Sequence, residues 1–406
     1  MHEETPSRRS FLLSTAALTA LGAAPPLVPD SLDPDHPGRL AHALALSGGG
    51  ARGAYQAGIV DYLRLARGVR DGEMLAPYGI IAGTSIGALN GYFIATGQFT
   101  MLRTLWYSIA DQDVIRLKPR YAKLVNTDSG VGNRLTAAMR MILGLASSDT
   151  GVIDGDHLRA WMARSIDPAR PVITPFVWTA TNLSTQAPEF FFLVNSEISP
   201  AERAAAVAAI KVTVGADAVL REATPEILID ALRASTAIPV AFDPVELPAP
   251  SGDGTNLYVD GGVTANTPIG IARAAAAAVD VIFLDPPLQE THYRNALDIG
   301  FGVFGAMQRR ILEADLRSTY LETFGKRTLQ ALRKNVPAAA AANLDVADLR
   351  AFATALFAAD IYTMRPTHEL PVNVVGFDDR ENVYKTYKIG FEDARNGFIP
   401  YRFGSD

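Results

Sequence analysis

Cysteine is absent from the 406 residues. Disulfides, thiolate nucleophiles, cysteine-ligated zinc and a lipidated N-terminal cysteine are therefore excluded. Positive charge is in deficit too. There are 37 Lys and Arg against 43 Asp and Glu, a formal net charge of −6, so no nucleic-acid partner is expected. Histidine is scarce, with six in the chain, and none lies in a turn of obvious catalytic shape. No apolar run is long enough to cross a bilayer as a stable helix. What remains is globular material. It is 48% hydrophobic and 20% charged, an ordinary balance, sufficient for two or three domains or one large α/β domain.

The N-terminus has its own character. Ser7-Arg8-Arg9-Ser10-Phe11-Leu12 precedes a short, alanine-rich apolar run, then Pro25-Pro26 and a polar stretch. Paired arginines before a weakly hydrophobic run resemble a twin-arginine export signal. Residues 1–38 are read as that signal with a Pro-rich linker, and the protein as exported to the periplasm or beyond. A disordered tail with a chance Arg-Arg is the plainer alternative.

Organisation begins near Leu40. Residues 42–46 (HALAL) read as a strand, followed by a Gly-rich stretch of Gly48, Gly49, Gly50, Ala51, Arg52 and Gly53. Tyr55, Ile59, Leu63 and Ala66 then recur at helical spacing. Residues 79–82 form a short apolar strand ahead of Gly83-Thr84-Ser85-Ile86-Gly87, with a helix ending near Gly97. Residues 100–155 differ in composition and are a candidate lid or insertion. There Arg116, Lys118, Arg120, Lys123, Arg134 and Arg140 face one acid, Asp128, and residues 135–145 have an amphipathic helical pattern. This basic segment, 116–140, reads either as solvated surface or as a contact for an anionic membrane surface.

Asp154 or Asp156 is expected to cap a helix running to Ile166. Residues 172–183 and 189–194 read as strands. Ser199-Pro200-Ala201-Glu202 is a capping box, and Thr224-Pro225 opens a helix that ends before Pro239. Residues 257–259 form a short strand into Asp260-Gly261-Gly262. Pro268 starts an Ala-rich helix, and residues 281–284 a buried strand. Strands alternating with helices predict a mostly parallel α/β sheet covered on both faces. Beyond Pro287 the chain reads as mainly helical, with an alanine link at 338–342. Residues 371–377 (PVNVVGF) are the candidate edge strand before a last helix to Gly397.

Three stretches carry chemistry. A serine between a strand and a helix, in G-x-S-x-G, needs small neighbours at Gly83 and Gly87 so that segments can approach a tight turn. The helix after Ser85 aims its N-terminal dipole at negative charge developing there. The Gly-rich stretch matches G-x-G-x-x-G, so dinucleotide binding must be weighed. That reading wants an acidic residue closing the next strand, but Asp71 lies in a loop-like stretch. The same glycines can instead present backbone N–H groups to an oxyanion, with Arg52 bracing the loop or adding positive charge, or form a purely structural turn. A serine nucleophile needs a base. Asp260, after a short strand and before two glycines, is placed for a sheet edge; a plain Asp-Gly turn is the bland alternative. A carboxylate near its reference pKa of about 4 is a weak base, and desolvation would strengthen it. A Ser–His–Asp triad using His292 or His368 fits the chain order as a rival.

With these stretches in this order the chain resembles the patatin-like phospholipases. The Gly-rich loop, the elbow and Asp260-Gly261-Gly262 match the family's three blocks, and Ala234-Ser235-Thr236-Ala237-Ile238-Pro239, leading to Phe242, resembles a fourth. The likeness spans residues 40–287, more weakly 364–398. It implies a three-layer α/β/α fold and hydrolysis of lipid acyl esters by a Ser–Asp dyad. Ser85 would be the nucleophile and Asp260 the base, with N–H groups of the Gly48–Gly53 loop as the oxyanion hole. No metal or organic cofactor is implied. An acidic residue often precedes the family's first glycine; here Ser47 stands there. Residues 40–290 are read as the catalytic domain and 291–406 as a mainly helical extension packed on it. A non-catalytic lipid- or partner-binding module is the remaining alternative, although both reacting groups are kept.

Overall fold

The computed structural model describes residues 40–401 except 112–113, 120–149, 196–198, 201–202, 205–206, 208–209, 212–218, 240, 287–295, 336–355, 357 and 373. The export-type segment, residues 135–145, most of the basic segment, His292 and the alanine link lie outside the described residues.

The described elements run β1 (Leu40–Leu46), α1 (Gly53–Ala66), β2 (Tyr78–Thr84), α2 (Ile86–Ala95), α3 (Phe99–Ser108), α4 (Gly155–Ser165), β3 (Phe176–Asn182), β4 (Ala187–Leu193) and β5 (Val219–Glu222). They continue as α5 (Leu228–Thr236), β6 (Val245–Pro248), β7 (Thr255–Asp260), α6 (Ile269–Ala275), β8 (Ala276–Ile282), α7 (Ala296–Asn335), β9 (Asp360–Met364), α8 (Arg380–Asp393) and β10 (Ile399–Pro400). The described strands form one sheet in the order β10-β9-β8-β1-β2-β3-β4-β5. Its centre, from β9 through β8, β1 and β2 to β3, is parallel.

Central strands bury both faces, as parallel strands must under helices on both sides. In β1, Leu44 and Leu46 join one core while Ala43 and Ala45 join the other. The first core is completed by α1, α2, α3, α5 and α8, and the second by Ile269 and Ile271 of α6 and Leu312 and Leu316 of α7. The result is the expected three-layer α/β/α arrangement. The α2 helix is buried along its whole length, which explains why its sequence is apolar all round. At α4, Asp154 is the cap: its carboxylate accepts from the His157 N–H at 3.0 Å. Among the described residues no helix is long and apolar enough to cross a membrane.

Three local expectations change. The alanine run does not stay helical: α6 ends at Ala275, and Ala276 already begins β8, paired with Leu40 of β1. Alanine tolerates either state, so the open sheet position between β1 and β9 decides. Residues 371–377 are not the edge strand. Asp360–Met364 fills the place beside β8, and Val374 turns its carbonyl to the Ala51 N–H at 2.9 Å. Finally, β7 is outside the parallel centre and runs antiparallel to β3.

That last feature positions the site. Along its whole length, β3 gives one edge to β4. Its other edge is shared: β2 pairs with residues 176–179, and β7 with residues 180–182. The strands approach from opposite directions. Thr84 ends β2 opposite Thr179, and Asp260 ends β7 opposite Ala180. The residues after β2 and at the end of β7 must therefore meet.

Candidate active site

They meet through a hydrogen bond. The Ser85 Oγ–H donates to Asp260 Oδ2 at 2.6 Å. Ser85 has φ 55° and ψ −125°, a conformation rarely adopted by residues with a side chain and costing about 1–3 kcal/mol where it persists. Its glycine neighbours explain how it is held. A Cβ on Gly83 would lie 2.4 Å from the Gly87 carbonyl oxygen, and one on Gly87 would lie 2.4 Å from that of Leu46. The turn closes only with hydrogen at both positions. The Ser85 N–H is held by Ser235 Oγ at 2.9 Å, and Ser235 in turn donates to the Thr179 carbonyl at 2.6 Å.

Asp260 is fully buried. Its Oδ1 accepts from the Gly262 N–H at 2.7 Å. Its own N–H donates to the Ala237 carbonyl, and its carbonyl accepts from Thr181 Oγ1. Burial pushes its carboxyl up to about 7, against the hydrogen bonds from Ser85 and Gly262, which favour the ionised form. A carboxylate of this basicity can take a proton from the hydroxyl it already holds. Gly261 is required because a Cβ there would lie 2.2 Å from the Thr179 carbonyl oxygen.

The Gly-rich loop lies beside Ser85: a Cβ on Gly48 would be 3.1 Å from the Ser85 Cβ. Of its N–H groups, Gly48 donates to Asn266, Ala51 to Val374, Arg52 to Gly49, and Gly53 back to Ala51 and Gly50. The N–H groups of Gly49 and Gly50 are the ones without an acceptor among the described residues. Arg52 braces the loop, donating to the Gly49 carbonyl and pairing with Asp285. Asp71 stands apart, accepting from the Thr100 N–H at an exposed position, and the strand after the loop ends in the serine turn, so the dinucleotide arrangement does not form.

Ser85 and Gly50 open on an apolar cavity whose walls include Leu89, Ile109, Leu158, Trp161, Ile238 and Phe377. A larger cavity of about 470 Å³, between α7 and β9–β10, contains neither Ser85 nor Asp260. No described histidine bonds to Asp260. His368 is exposed, and His42 is half-buried on β1, where burial and Arg67 lower its pKa. Among the described residues no group of three or more His, Cys, Asp or Glu gathers as metal ligands would. Of the basic segment, Arg116 and Lys118 are described, and Lys118 is paired with Asp243 at 2.7 Å.

Sequence reasoning missed Ser235, Asn266 and Val374 as parts of this site. Ser235 had a signal, since it lies in the fourth family-like block. Asn266 follows the Asp-Gly-Gly turn closely enough to have been suspected. Val374 had none, because its contribution is a backbone carbonyl.

No curated protein matches the chain. Among solved structures it is similar to VipD from Legionella pneumophila, at 11% identity and a TM-score of 0.34. That alignment covers 88% of this chain and 66% of VipD, just under two thirds of its length. The family model described as patatin-like phospholipase matches residues 44–273, a span that holds the Gly-rich loop, the Ser85 turn and Asp260, and the chain belongs to this family of lipid acyl hydrolases.

Proposed function

We propose that the chain cleaves lipid acyl esters through a covalent acyl-Ser85, with Asp260 as the base. The observation that carries this reading is the 2.6 Å hydrogen bond to a buried Asp260 from the Oγ of Ser85, which lines an apolar cavity. Ser85 Oγ attacks the ester carbonyl carbon as its proton passes to Asp260. The carbonyl oxygen becomes an oxyanion, stabilised by N–H groups of the Gly48–Gly53 loop. Gly49 and Gly50 are the donors to choose, because their N–H groups have no acceptor among the described residues. Preorganised donors of this kind are worth about 3–4 kcal/mol each in the transition state. Collapse expels the alcohol, which takes the proton from Asp260. Water then releases the fatty acid. The cavity walls favour an acyl chain over a polar acyl group.

Mass spectrometry of products from a mixed lipid pool, run beside Ser85→Ala and Asp260→Ala, tests this and identifies the lipid and position cleaved. Both variants should be folded and inactive; wild-type turnover by Ser85→Ala would sink the proposal. A triad through His292 or His368 predicts that histidine replacement abolishes activity, whereas the dyad predicts that it is spared. A non-catalytic binding module predicts that a fluorophosphonate fails to label Ser85.

Two accessory roles belong to this reading. Residues 1–38 direct export, so Lys at both Arg8 and Arg9 should retain the protein inside the cell; unchanged export removes the idea. The basic segment touches anionic membrane, so Glu at Lys123 and Arg134 should weaken binding to anionic vesicles while sparing a short-chain soluble ester. Unchanged vesicle binding removes that role.

A further inference from the structure

Beside the Asp-Gly-Gly turn is a second set of polar atoms that the acylation step leaves unused. Gln308 comes from α7, outside the family-matched residues 44–273. It is 6% exposed, and Asn266 is 3% exposed. Around the point where a Cβ on Gly262 would stand, Gln308 Nε2 lies at 2.2 Å, Asp260 Oδ1 at 2.9 Å and Asn266 Oδ1 at 3.0 Å. Asn266 Oδ1 also lies 2.5 Å from where a Cβ on Gly48 would stand, and that position is 3.1 Å from the Ser85 Cβ. The Asn266 oxygen thus sits between the glycine facing Ser85 and the glycine facing Gln308. It is buried and has no hydrogen-bond partner among the described residues. Buried acceptors are normally satisfied, so an orphan facing a reactive serine calls for a ligand.

The donor and acceptor pattern identifies that ligand. A water molecule has two protons to give and two lone pairs. Asp260 accepts one proton, Asn266 Oδ1 accepts the other, and Gln308 Nε2–H donates to one lone pair. The second lone pair is left for an acyl carbon on Ser85. An alcohol fits less well, since it has only one proton to give.

We propose that Gln308, together with Asn266, positions the water that hydrolyses the acyl-enzyme, so that α7 completes the site for the second half of the reaction. This rests on the acyl-Ser85 reading above. The water oxygen bonds to the acyl carbon while its proton passes to Asp260. The tetrahedral oxyanion collapses, the bond to Ser85 Oγ breaks, and Ser85 recovers the proton from Asp260. The products are a carboxylic acid and free enzyme.

The test uses the full chain and p-nitrophenyl butyrate, following the burst of nitrophenol and the steady-state rate separately, with intact-mass detection of butyryl-Ser85. Gln308→Met keeps the volume and removes the donor. Its burst rate should stay within about twofold of wild type, while the steady-state rate falls about 10-fold, the scale of one lost hydrogen bond, and butyryl-enzyme accumulates. A packing role would lower both phases together or neither; either result overturns the proposal. If Gln308→Met does not fold, Gln308→Glu takes its place. A carboxylate there should move the pH midpoint of the steady-state rate up by about one unit through repulsion with Asp260, and an unmoved midpoint overturns the proposal. Wild type that releases no nitrophenol refutes the hydrolase reading itself, a result distinct from either.

Discussion

Ser85 and Asp260 share one hydrogen bond, yet each is held out of its comfortable state in a different way. Ser85 bears its strain in the backbone, at φ 55°. Asp260 has ordinary backbone angles, φ −44° and ψ 132°, and bears its strain as charge, with burial pushing its carboxyl up to about 7. Steric strain is set by how closely backbone packs on the turn, Gly83 against Gly87 and Gly87 against Leu46 of β1. Electrostatic strain is imposed by whatever surrounds the group in space. The nucleophile is therefore shaped by backbone packing around its turn, and the base by the medium around its carboxylate.

The largest expected effect breaks the electrostatic half. Asp260→Asn should lower ester hydrolysis by about 10²–10⁴-fold, the usual worth of a general base. It should also stabilise the fold in alkali. The folded pKa of Asp260 lies above its unfolded value, so its contribution is intact below about pH 4 and is lost as pH rises through about 7. Urea denaturation at pH 8 should find Asp260→Asn more stable than wild type by roughly a few kcal/mol, with the gap closing by pH 4. An Asn variant that is less stable at pH 8 would show that burial of the charge is not what strains this residue. By the same ionisation, the wild-type rate should rise through about pH 7.

The steric half is broken by Gly87→Ala. Its Cβ would lie 2.4 Å from a backbone oxygen of β1, and backbone there cannot give way cheaply. A loss of about 3 kcal/mol is expected, read as a lower Tm at every pH. A pH-dependent loss would mean that the two kinds of strain are coupled. The smallest effect sharpens the comparison. Ser235→Ala strands the Ser85 N–H without its acceptor, which should reduce stability by about 1–2 kcal/mol. Because Ser235 bonds to the turn and not to Asp260, the pH midpoint of activity should not move; a shifted midpoint would assign Ser235 to the charged half.

This contrast explains what was legible in the chain. The Ser85 turn could be read because each glycine answers a clash with backbone nearby, and such demands leave a fixed spacing. The strands β1, β2 and β3 were legible from β-branched and apolar runs. The segment 371–377 misled for a physical reason: its valines fit a strand, but its backbone is engaged by the Gly-rich loop, and a Cβ on Gly50 would lie 2.0 Å from the Val374 oxygen. Gln308 could not be read at all, since it reaches Gly262 from α7, across the fold. Nor could the basicity of Asp260, because the groups that desolvate it are scattered along the sequence.

The shared edge of β3 has a mechanical consequence. The strand ending at Thr84, one residue before Ser85, and the strand ending in Asp260 both pair with β3, at adjacent residues Thr179 and Ala180. A twist or bend of the sheet at β3 carries both ends with it. The gap that a proton must cross is thus gauged from β3, a strand that carries no reacting group, with Ser235 holding the Ser85 N–H and Ala237 the Asp260 N–H from the other side.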